Sequence, residues 1–259
     1  MQTSTTHSNR GLSELAERQM RNWALDLQTQ RRVAEQTDTL RPQDFIHPYL
    51  AISRQAGADA GGIARAVAAR CGWKVLDDEL LDYMAEHEHL SRLALEFVDE
   101  RAVSWFHEMF GKWLEKQLVS QAEYVSRLGK IMLLAAQHES TVIVGRGARF
   151  ILPRELGFAV RIIAPLKQRI KSIMERKQCS EREAKAFVET TDRDREQFIQ
   201  RYFHHHVADP HLYDLIVNLA NIPRDDAVEL IASEVKRHEQ RALASGDPLV
   251  RQAPGGRRK

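Results

Sequence analysis

Residues 49–72 read YLAISRQAGADAGGIARAVAARCG, and this segment specifies the architecture of the chain. Residues 49–53 form a short, apolar, β-prone run, and residues 54–62 form a loop that contains three glycines. An alanine-rich helical pattern follows over residues 63–70 and stops at Gly72. A strand, a glycine-bearing loop and a helix together can direct backbone N–H groups and a helix N-terminus at a phosphate group.

Outside this segment, short apolar runs alternate with helical patterns. The further predicted strands cover residues 73–76, 141–144, 158–163 and 213–218, and the further predicted helices cover residues 80–137, 166–177, 180–202 and 224–244. Ser180 and Glu183 predict a capping box at the start of the third of these helices. The alternation is typical of an α/β fold in which a parallel sheet of about five strands has helices on both faces. Ligands of such sheets bind at the carboxyl ends of the strands, where four polar segments occur: residues 54–62, 77–79 and 145–147, and the residues after Pro165.

The composition is that of a globular protein and excludes several other classes. Of the 259 residues, 43% are hydrophobic and 29% are charged, which excludes collagen-like, low-complexity and fully disordered proteins. The formal net charge is +2, from 38 basic and 36 acidic residues. Four of the basic residues lie close to the end of the sequence, at Arg251, Arg257, Arg258 and Lys259. The rest of the chain is therefore slightly acidic, and we do not expect nucleic-acid binding, which would require a basic body.

Cysteine usage and hydropathy indicate a soluble, cytoplasmic protein. Cys71 and Cys179 are the only cysteines, so the sequence has no disulfide framework and no CxxC pair for zinc. Residues 1–10 are polar and lack the apolar segment of a secretory signal. The longest apolar run, residues 131–136, is far shorter than the ~20 residues that a membrane-spanning helix needs. We therefore expect no membrane association.

Residues 1–48 are predicted to be an N-terminal extension that contains an amphipathic helix. Apolar residues recur at helical spacing between Leu12 and Glu35, and Pro42 and Pro48 end the pattern. Two interpretations stay open for this helix. It packs against the rest of the chain, or it binds a second copy of the chain to form a homodimer, or another partner protein.

The loop over residues 54–62 matches a Walker A phosphate loop, GxxxxGK[ST], only in part. In that motif backbone amides and a lysine hold the phosphates, and a serine or threonine binds Mg²⁺. If Gly57 is the middle glycine of a GxGK core, Asp59 occupies the final glycine position and Ala60 the lysine position. Gly62 then occupies the hydroxyl position. The carboxylate of Asp59 would repel a phosphate, and the alternative interpretation is that Asp59 caps the following helix.

Several short elements occur in a fixed order along most of the chain, from about Tyr49 to Ala232. They are Ile52-Ser53-Arg54-Gln55, Gly57, Ile63-Ala64, Asp77-x-Glu79-Leu80, Val142 to Ala148, Ala164-Pro165-Leu166 with Arg169-Ile170, Thr191-Asp192-Arg193, Ala208-Asp209-Pro210 and Tyr213-Asp214-Leu215. No single element is specific, but the ordered set resembles the cytidylate kinase-like family. The resemblance implies a P-loop, three-layer nucleoside-monophosphate kinase fold over residues 49–244, with a helical monophosphate-binding insertion at residues 80–137 and a mobile lid at residues 180–206. A disordered basic tail would follow at residues 245–259.

The resemblance also implies a loop that binds the donor phosphates, with the residues Ser53, Arg54, Gln55, Gly57, Ala58, Asp59, Ala60, Gly61 and Gly62. Asp77 and Arg146 would bind the acceptor nucleotide. The catalytic arginines would be Arg146, Arg193 and Arg195, because a planar guanidinium makes two-point contacts to phosphate. The implied reaction is ATP-dependent phosphorylation of a nucleoside monophosphate such as CMP or dCMP, with Mg²⁺ as a cofactor.

Other interpretations of these residues stay open. Arg193 and Arg195 lie among acids and also fit an exposed helix with salt bridges. Because Ala60 replaces the lysine, a catalytically inactive nucleotide sensor and an interaction protein with an empty loop are alternatives to the kinase. A solvated turn, rather than a metal site, is expected for His204-His205-His206 with Asp209 and His211, since adjacent histidines on an extended segment point alternately. Ordinary surface charge is expected for Arg149, Arg154 and Arg161.

Overall fold

The computed structural model describes residues 3–37, 46–87, 90 and 119–244. As far as they are described, the residues form two compact units. The first unit comprises Met1–Pro48, Asp78–Ser140 and Arg241–Lys259, and the second comprises Tyr49–Asp77 and Thr141–Gln240. Much of the predicted helical insertion and all of the predicted disordered tail, residues 88–89, 91–118 and 245–259, lie outside the described residues.

The second unit is built on a five-stranded sheet in which all strands are parallel. The strands are β1 (Tyr49–Arg54), β2 (Lys74–Leu76), β3 (Thr141–Val144), β4 (Gly157–Ile163) and β5 (Leu215–Asn218). Their order across the sheet is β2-β3-β1-β4-β5, which places β1 in the centre. Both faces of β1 are buried, since Leu50, Ala51 and Ile52 are each at most 6% exposed and successive residues of a strand point to opposite faces. The predicted α/β fold with about five parallel strands is confirmed.

Helices flank this sheet and form the other unit. Among the described residues the α-helices are α1 (Thr3–Thr37), α2 (Ala60–Cys71), α3 (Asp78–Glu86), α4 (Val119–His138), α5 (Ala148–Ile151), α6 (Leu166–Lys177), α7 (Glu181–Phe203) and α8 (Arg224–Ala244). The predicted ranges of α6 and α8 are confirmed without change. β5 begins two residues later than predicted, because a 3₁₀ turn at Pro210–Leu212 precedes it. None of the described helices combines the length and the apolar character that a membrane crossing requires.

Two apolar clusters stabilise the second unit. The larger cluster joins the strand residues Leu50 and Val160 to Ile63 of α2 and to residues of α8. The smaller cluster joins Ala56, in the loop after β1, to residues of α6 and α7 that include Ile173. Burial of apolar surface contributes about 25 cal/mol per Å². The loop after β1 is therefore part of the packed structure through Ala56 and does not project from it.

α7 begins with the predicted capping box, which is confirmed. The backbone N–H of Glu183 donates a hydrogen bond to Ser180 Oγ at 3.3 Å, and the backbone N–H of Ser180 donates to the Glu183 carboxylate at 2.9 Å. The side-chain and backbone hydrogen bonds from Ser180 lower the pKa of Glu183 below its usual value. The first residue of α7 is therefore fixed by the sequence itself.

In the first unit, α1 packs against α3 and α4. The helix extends beyond the predicted range, Leu12–Glu35, at both ends, because no proline interrupts the flanking residues. Its fully buried side chains are Ala16, Met20 and Trp23. The apolar face of α1 is thus used within this unit, and binding of a second copy or a partner protein through it stays a prediction.

Candidate functional site

The loop between β1 and α2 reverses direction through two residues with positive φ. Gly57 has a φ of 82° and Asp59 a φ of 46°. A Cβ atom at Gly57 would lie 2.5 Å from the carbonyl oxygen of Arg169 in α6, so only glycine fits at this position. Asp59 is a non-glycine residue in the left-handed region, a conformation that costs ~1 kcal/mol. The close approach of α6 is thus a structural reason for Gly57 that does not depend on a ligand.

Hydrogen bonds within the loop leave several amides available. The N–H of Ala58 donates to the carbonyl of Gln55 at 3.3 Å, and the N–H of Ile63 donates to the carbonyl of Asp59 at 3.1 Å. Within the described residues, the amides of Gly57 and of residues 59–62 donate no hydrogen bond. Such N–H groups at the start of a helix, together with the helix dipole, favour an anion.

The carboxylate of Asp59 is paired with Arg224, the first residue of α8. Asp59 occupies the N-cap position of α2, as the alternative interpretation predicts, but its side chain makes no capping hydrogen bond. Instead, Arg224 Nε, at the start of α8, donates to the Asp59 carboxylate at 2.9 Å. Arg224 Nη2 also donates to the carbonyl of Gly62 at 3.0 Å. The left-handed backbone of Asp59 turns its side chain toward this arginine, and the negative charge beside the loop is compensated.

Ser53 and Gln55 hold the loop to the neighbouring strand. The N–H of Gln55 donates to the carbonyl of Ile162 at 3.1 Å, and Gln55 Oε1 accepts the N–H of Ala164 at 3.1 Å. Ser53 Oγ accepts a hydrogen bond from Arg161 Nη1 at 2.9 Å. Arg161 is only 8% exposed, so the expectation of ordinary surface charge is wrong for this residue. The side chains of both predicted phosphate-loop residues therefore take part in the fold.

An ion pair between the buried Arg169 and the partly exposed Asp192 joins α7 to the loop after β1. The N–H of Ala56 donates to Asp192 Oδ1 at 2.7 Å, and Arg169 Nη1 donates to Asp192 Oδ2 at 2.6 Å. Arg169 is 7% exposed and also donates to the carbonyls of Ala56 at 3.2 Å and Ala164 at 3.0 Å. Each charge is thus paired and hydrogen-bonded, as the burial of Arg169 requires. This arrangement, the Asp192–Arg169–Ala56 contact, fixes the middle of the predicted lid helix to the loop.

α7 contacts both the loop after β1, through Asp192, and the turn after β3, through Phe198. Residues three positions apart are neighbours on a helix surface, so Arg195 lies next to Asp192 on one side and next to Phe198 on the other. Arg195 is half-buried, whereas Arg193 is exposed. The guanidinium of Arg146 lies 5.4 Å from the centre of the Phe198 ring. The fold therefore brings Arg195 and Arg146 to one face of α7 and directs Arg193 elsewhere.

The turn after β3 has three consecutive residues with positive φ, namely Gly145 at 84°, Arg146 at 50° and Gly147 at 72°. A Cβ atom at Gly145 would collide with the guanidinium of Arg54, and one at Gly147 would collide with the ring of Phe203. The two glycines thus make room for side chains from β1 and α7. Arg146 carries the backbone strain of a left-handed non-glycine residue, which is common at functional sites.

Asp77 lies at the same edge of the sheet. β2 pairs with β3 in parallel, with Leu76 opposite Ile143, and Asp77 is the first residue after β2. The carboxyl ends of parallel strands meet at one edge, so Asp77 and the turn that holds Arg146 lie at neighbouring strand ends. Arg54 ends the next strand, β1. The predicted acceptor residues and the phosphate loop therefore occupy adjacent strand ends.

Comparison with known proteins decides the family. The model of the cytidylate kinase-like family matches residues 49–221, which is more than half of the chain. The chain belongs to the cytidylate kinase-like family. The resemblance inferred from the ordered sequence elements is thus confirmed, and no curated protein matches the chain.

Three solved structures are similar to this cytidylate kinase-like protein to different degrees. An uncharacterized protein from Eubacterium ventriosum ATCC 27560 superposes with a TM-score of 0.59 at 22% identity, covering 74% of this chain and 99% of that one. TT1252 from Thermus thermophilus superposes with a TM-score of 0.43 at 19% identity, covering 74% of this chain and 97% of that one. A gluconokinase from Sinorhizobium meliloti 1021 superposes with a TM-score of 0.43 at 11% identity, covering 78% of this chain and 99% of that one. The first of these supports the fold, and none bears on the substrate.

The histidines after α7 of this cytidylate kinase-like protein point in different directions. His205 stacks on the ring of Phe150 at 4.9 Å, and His206 lies 3.8 Å from a carboxylate oxygen of α7. His211 pairs with Asp209 at 2.9 Å, and the backbone and side-chain hydrogen bonds from His211 lower the pKa of Asp209. Among the described residues, no group of three or more potential ligands is arranged to hold a metal ion.

Several contacts around the site were not predicted from the sequence. The ion pairs of Asp192 with Arg169 and of Asp59 with Arg224 join residues that are far apart in sequence or on different helices. Arg149 and Arg154, expected at the surface, donate to the carbonyl of Leu212 and to Asp214, respectively. The only sequence signal for these partners was the presence of Asp192 and Arg169 among the ordered elements of the cytidylate kinase-like family.

Proposed function

We propose that this protein binds ATP in the loop after β1 and transfers its terminal phosphoryl group to a nucleoside monophosphate, such as CMP or dCMP. Membership of the cytidylate kinase-like family supports kinase-like chemistry in general. The observation that carries the proposal is the ion pair between Asp59 and Arg224 at 2.9 Å. Because this pair compensates the carboxylate, the loop can accept an anion although an acid stands in the final glycine position.

The donor phosphates would bind the main chain of the loop. The amides of Gly57 and residues 59–62 have no partner within the described residues, and α2 adds the positive end of its dipole. The Asp192–Arg169–Ala56 contact and the two hydrogen bonds of Gln55 hold this main chain in place. Preorganised donors of this kind stabilise charge without reorganising during the reaction.

The acceptor nucleotide would bind between the neighbouring strand ends. Arg146 would hold the acceptor phosphate with its planar guanidinium, and Asp77 would contact the sugar or base on the β2 side. Arg54, over the turn after β3, lies between the donor loop and this position. Arg195, on α7, would neutralise the transferring phosphoryl group, and Arg193 would contribute only if α7 changes its orientation. In-line positioning and charge neutralisation are the main requirements of phosphoryl transfer.

The residues fit ATP better than they fit Mg²⁺. Ala60, Gly61 and Gly62 carry no side-chain oxygen, so the loop lacks the hydroxyl that binds Mg²⁺ in a Walker A motif. The nearest carboxylate, of Asp59, is already paired with Arg224. No step of the proposed reaction is therefore assigned to a metal ion held by this loop.

Activity of the purified full-length chain tests the proposal. The protein is incubated with ATP and a panel of nucleoside monophosphates, with and without Mg²⁺, and the products are separated by chromatography. We expect a nucleoside diphosphate from CMP or dCMP, lost in Arg146→Ala and retained in Arg176→Ala, an exposed arginine of α6. Failure of the unaltered protein to form any diphosphate would contradict the kinase proposal.

A nucleotide sensor without turnover is the second candidate. Two observations favour it: Ala60 removes the lysine, and the Asp192–Arg169–Ala56 contact fixes the predicted lid helix to the loop. The sensor predicts saturable nucleotide binding, seen as a rise in melting temperature, with no product in the activity assay. An interaction protein with an empty loop predicts no change in melting temperature with any nucleotide.

A further inference from the structure

The loop lacks its usual cation, but a cation from the next turn of α2 lies beside it. Arg65 is four residues after Gly61, and its Nη1 atom lies 3.6 Å from the position that a Cβ atom of Gly61 would occupy. Side chains of an α-helix tilt toward its N-terminus, so a residue at i+4 covers the position of residue i. The guanidinium of Arg65 therefore lies beside Gly61, in the first turn of α2.

The glycine at position 61 leaves room for this guanidinium. A separation of 3.6 Å is ordinary van der Waals contact, so even a methyl group at position 61 would touch Arg65. A larger side chain at position 61 would share the space of the guanidinium. At Gly62, the position that corresponds to the metal-binding hydroxyl, a Cβ atom would meet the Asp59 carboxylate at 2.7 Å, so a serine or threonine does not fit there either.

The other arginines near the loop have partners in the fold. Arg224 pairs with Asp59, Arg169 pairs with Asp192, and Arg54 lies against Gly145 in the turn after β3. Arg65 is exposed, and within the described residues it forms no hydrogen bond or ion pair. Among these four arginines, Arg65 alone combines a position beside the first turn of α2 with an uncompensated charge.

We propose that Arg65 supplies the positive charge for the phosphate chain of a bound nucleotide, in place of both the missing lysine and a loop-bound Mg²⁺. The proposal rests on the proposed function, because it requires the loop to bind phosphate. A guanidinium can hold two phosphate oxygens at once and stays charged at all physiological pH values. Its charge also opposes the binding of a divalent cation in the same space. The ligand class is a nucleoside triphosphate or diphosphate, bound through its phosphate groups.

Titration calorimetry of the full-length protein with ATP tests this role. Four proteins are compared, each in Mg²⁺ and in EDTA: the unaltered chain, Arg65→Ala, Arg65→Lys and the control Arg70→Ala. Arg70 is an exposed arginine of the same helix, at the end remote from the loop. Because Arg65 is exposed, its replacement should leave the fold intact, and a thermal melt of each variant checks this.

We expect the unaltered protein to bind ATP as tightly in EDTA as in Mg²⁺. Arg65→Ala should weaken binding by about 10- to 100-fold, the usual effect of losing hydrogen bonds to a charged group. Arg65→Lys should recover part of the affinity, and Arg70→Ala should change nothing. Adenosine, which has no phosphate, should not distinguish Arg65→Ala from the unaltered protein.

Two results would overturn the assignment of Arg65 while leaving the proposed function intact. They are equal ATP affinity of Arg65→Ala and the unaltered chain, and ATP binding by the unaltered chain in Mg²⁺ but not in EDTA. If the unaltered chain binds no nucleotide under either condition, the proposed function fails, and the role of Arg65 fails with it.

Discussion

Replacing Asp192 by alanine should destabilise the sheet unit and release α7 from the loop. The substitution removes the acceptor of the Ala56 N–H, at 2.7 Å, and the anionic partner of Arg169, at 2.6 Å. Arg169 is 7% exposed, so its charge would stay buried after its partner is lost. The variant thus combines an unpaired amide with an unpaired buried charge.

The magnitude follows from the burial of the two partners. Breaking a fully buried ion pair by removing one partner costs about 3–5 kcal/mol. The side chain of Asp192 is 28% exposed, and Arg169 keeps its bonds to the carbonyls of Ala56 and Ala164. We therefore expect the low end, about 3 kcal/mol, which corresponds to a fall in melting temperature of roughly 6–12 °C.

Denaturant unfolding followed by circular dichroism measures this loss, and hydrogen exchange at Ala56 reports whether the loop amide is released. Asp194→Ala is the matched control, because Asp194 is an exposed acid on the same helix. Asp192→Asn keeps an acceptor for the amide and should lose less than Asp192→Ala. A loss in Asp192→Ala no larger than that in Asp194→Ala would refute the inference that the contact stabilises the unit.

Three further results are expected. Gly57→Ala should lower the free energy of unfolding by about 1–3 kcal/mol, because alanine is strained at a φ of 82° and its Cβ would meet the Arg169 carbonyl. The control Gly61→Ala lies inside a helix and should not destabilise the fold. Equal losses of stability for the two variants in denaturant unfolding would contradict this explanation. Because the folded-state pKa of Glu183 is lowered, the capping box should stabilise α7 at pH values above the usual pKa of 4.5, and this stabilisation should disappear as pH falls through the folded-state pKa. Thermal melts of Ser180→Ala across this pH range should lack this pH-dependent stabilisation. The same pH dependence of the melting temperature in Ser180→Ala and in the unaltered protein would argue against the prediction. The double variant Asp59→Gly with Ala60→Lys should bind ATP more tightly in calorimetry, since it restores the lysine and removes the acid, and unchanged affinity would count against the loop as a phosphate site.

Local sequence patterns were sufficient to predict the elements of the sheet unit. β3 was predicted residue for residue because its apolar run is short and ends at Gly145, and α6 because Pro165 precedes it and the capping box of the next helix begins at Ser180. The capping box of α7 was likewise predictable, since Ser180 and Glu183 contact each other across a single turn. Local interactions of this kind depend on residues that are close in sequence.

The candidate site was less predictable, because its contacts join distant segments. Arg224 lies 165 residues from Asp59, and no local pattern indicates that the two charges meet. The residue type of Asp59 favours a capping side chain, but its carboxylate pairs with Arg224 although the residue does occupy the N-cap position. Composition likewise could not show that Arg161 is buried, since it lies at a strand position opposite Ser53. The roles of Arg146, Arg193, Arg195 and Asp77 in binding and catalysis stay predictions.

A crystal structure of the full-length protein grown with a non-hydrolysable ATP analogue would test most directly whether this loop holds phosphate. Phosphate oxygens at about 2.7–3.2 Å from the amide nitrogens of residues 59–62, with Asp59 still paired to Arg224, are the predicted result. An analogue bound elsewhere with the loop vacant, or the Asp59 carboxylate turned into the space above the amides, would contradict it.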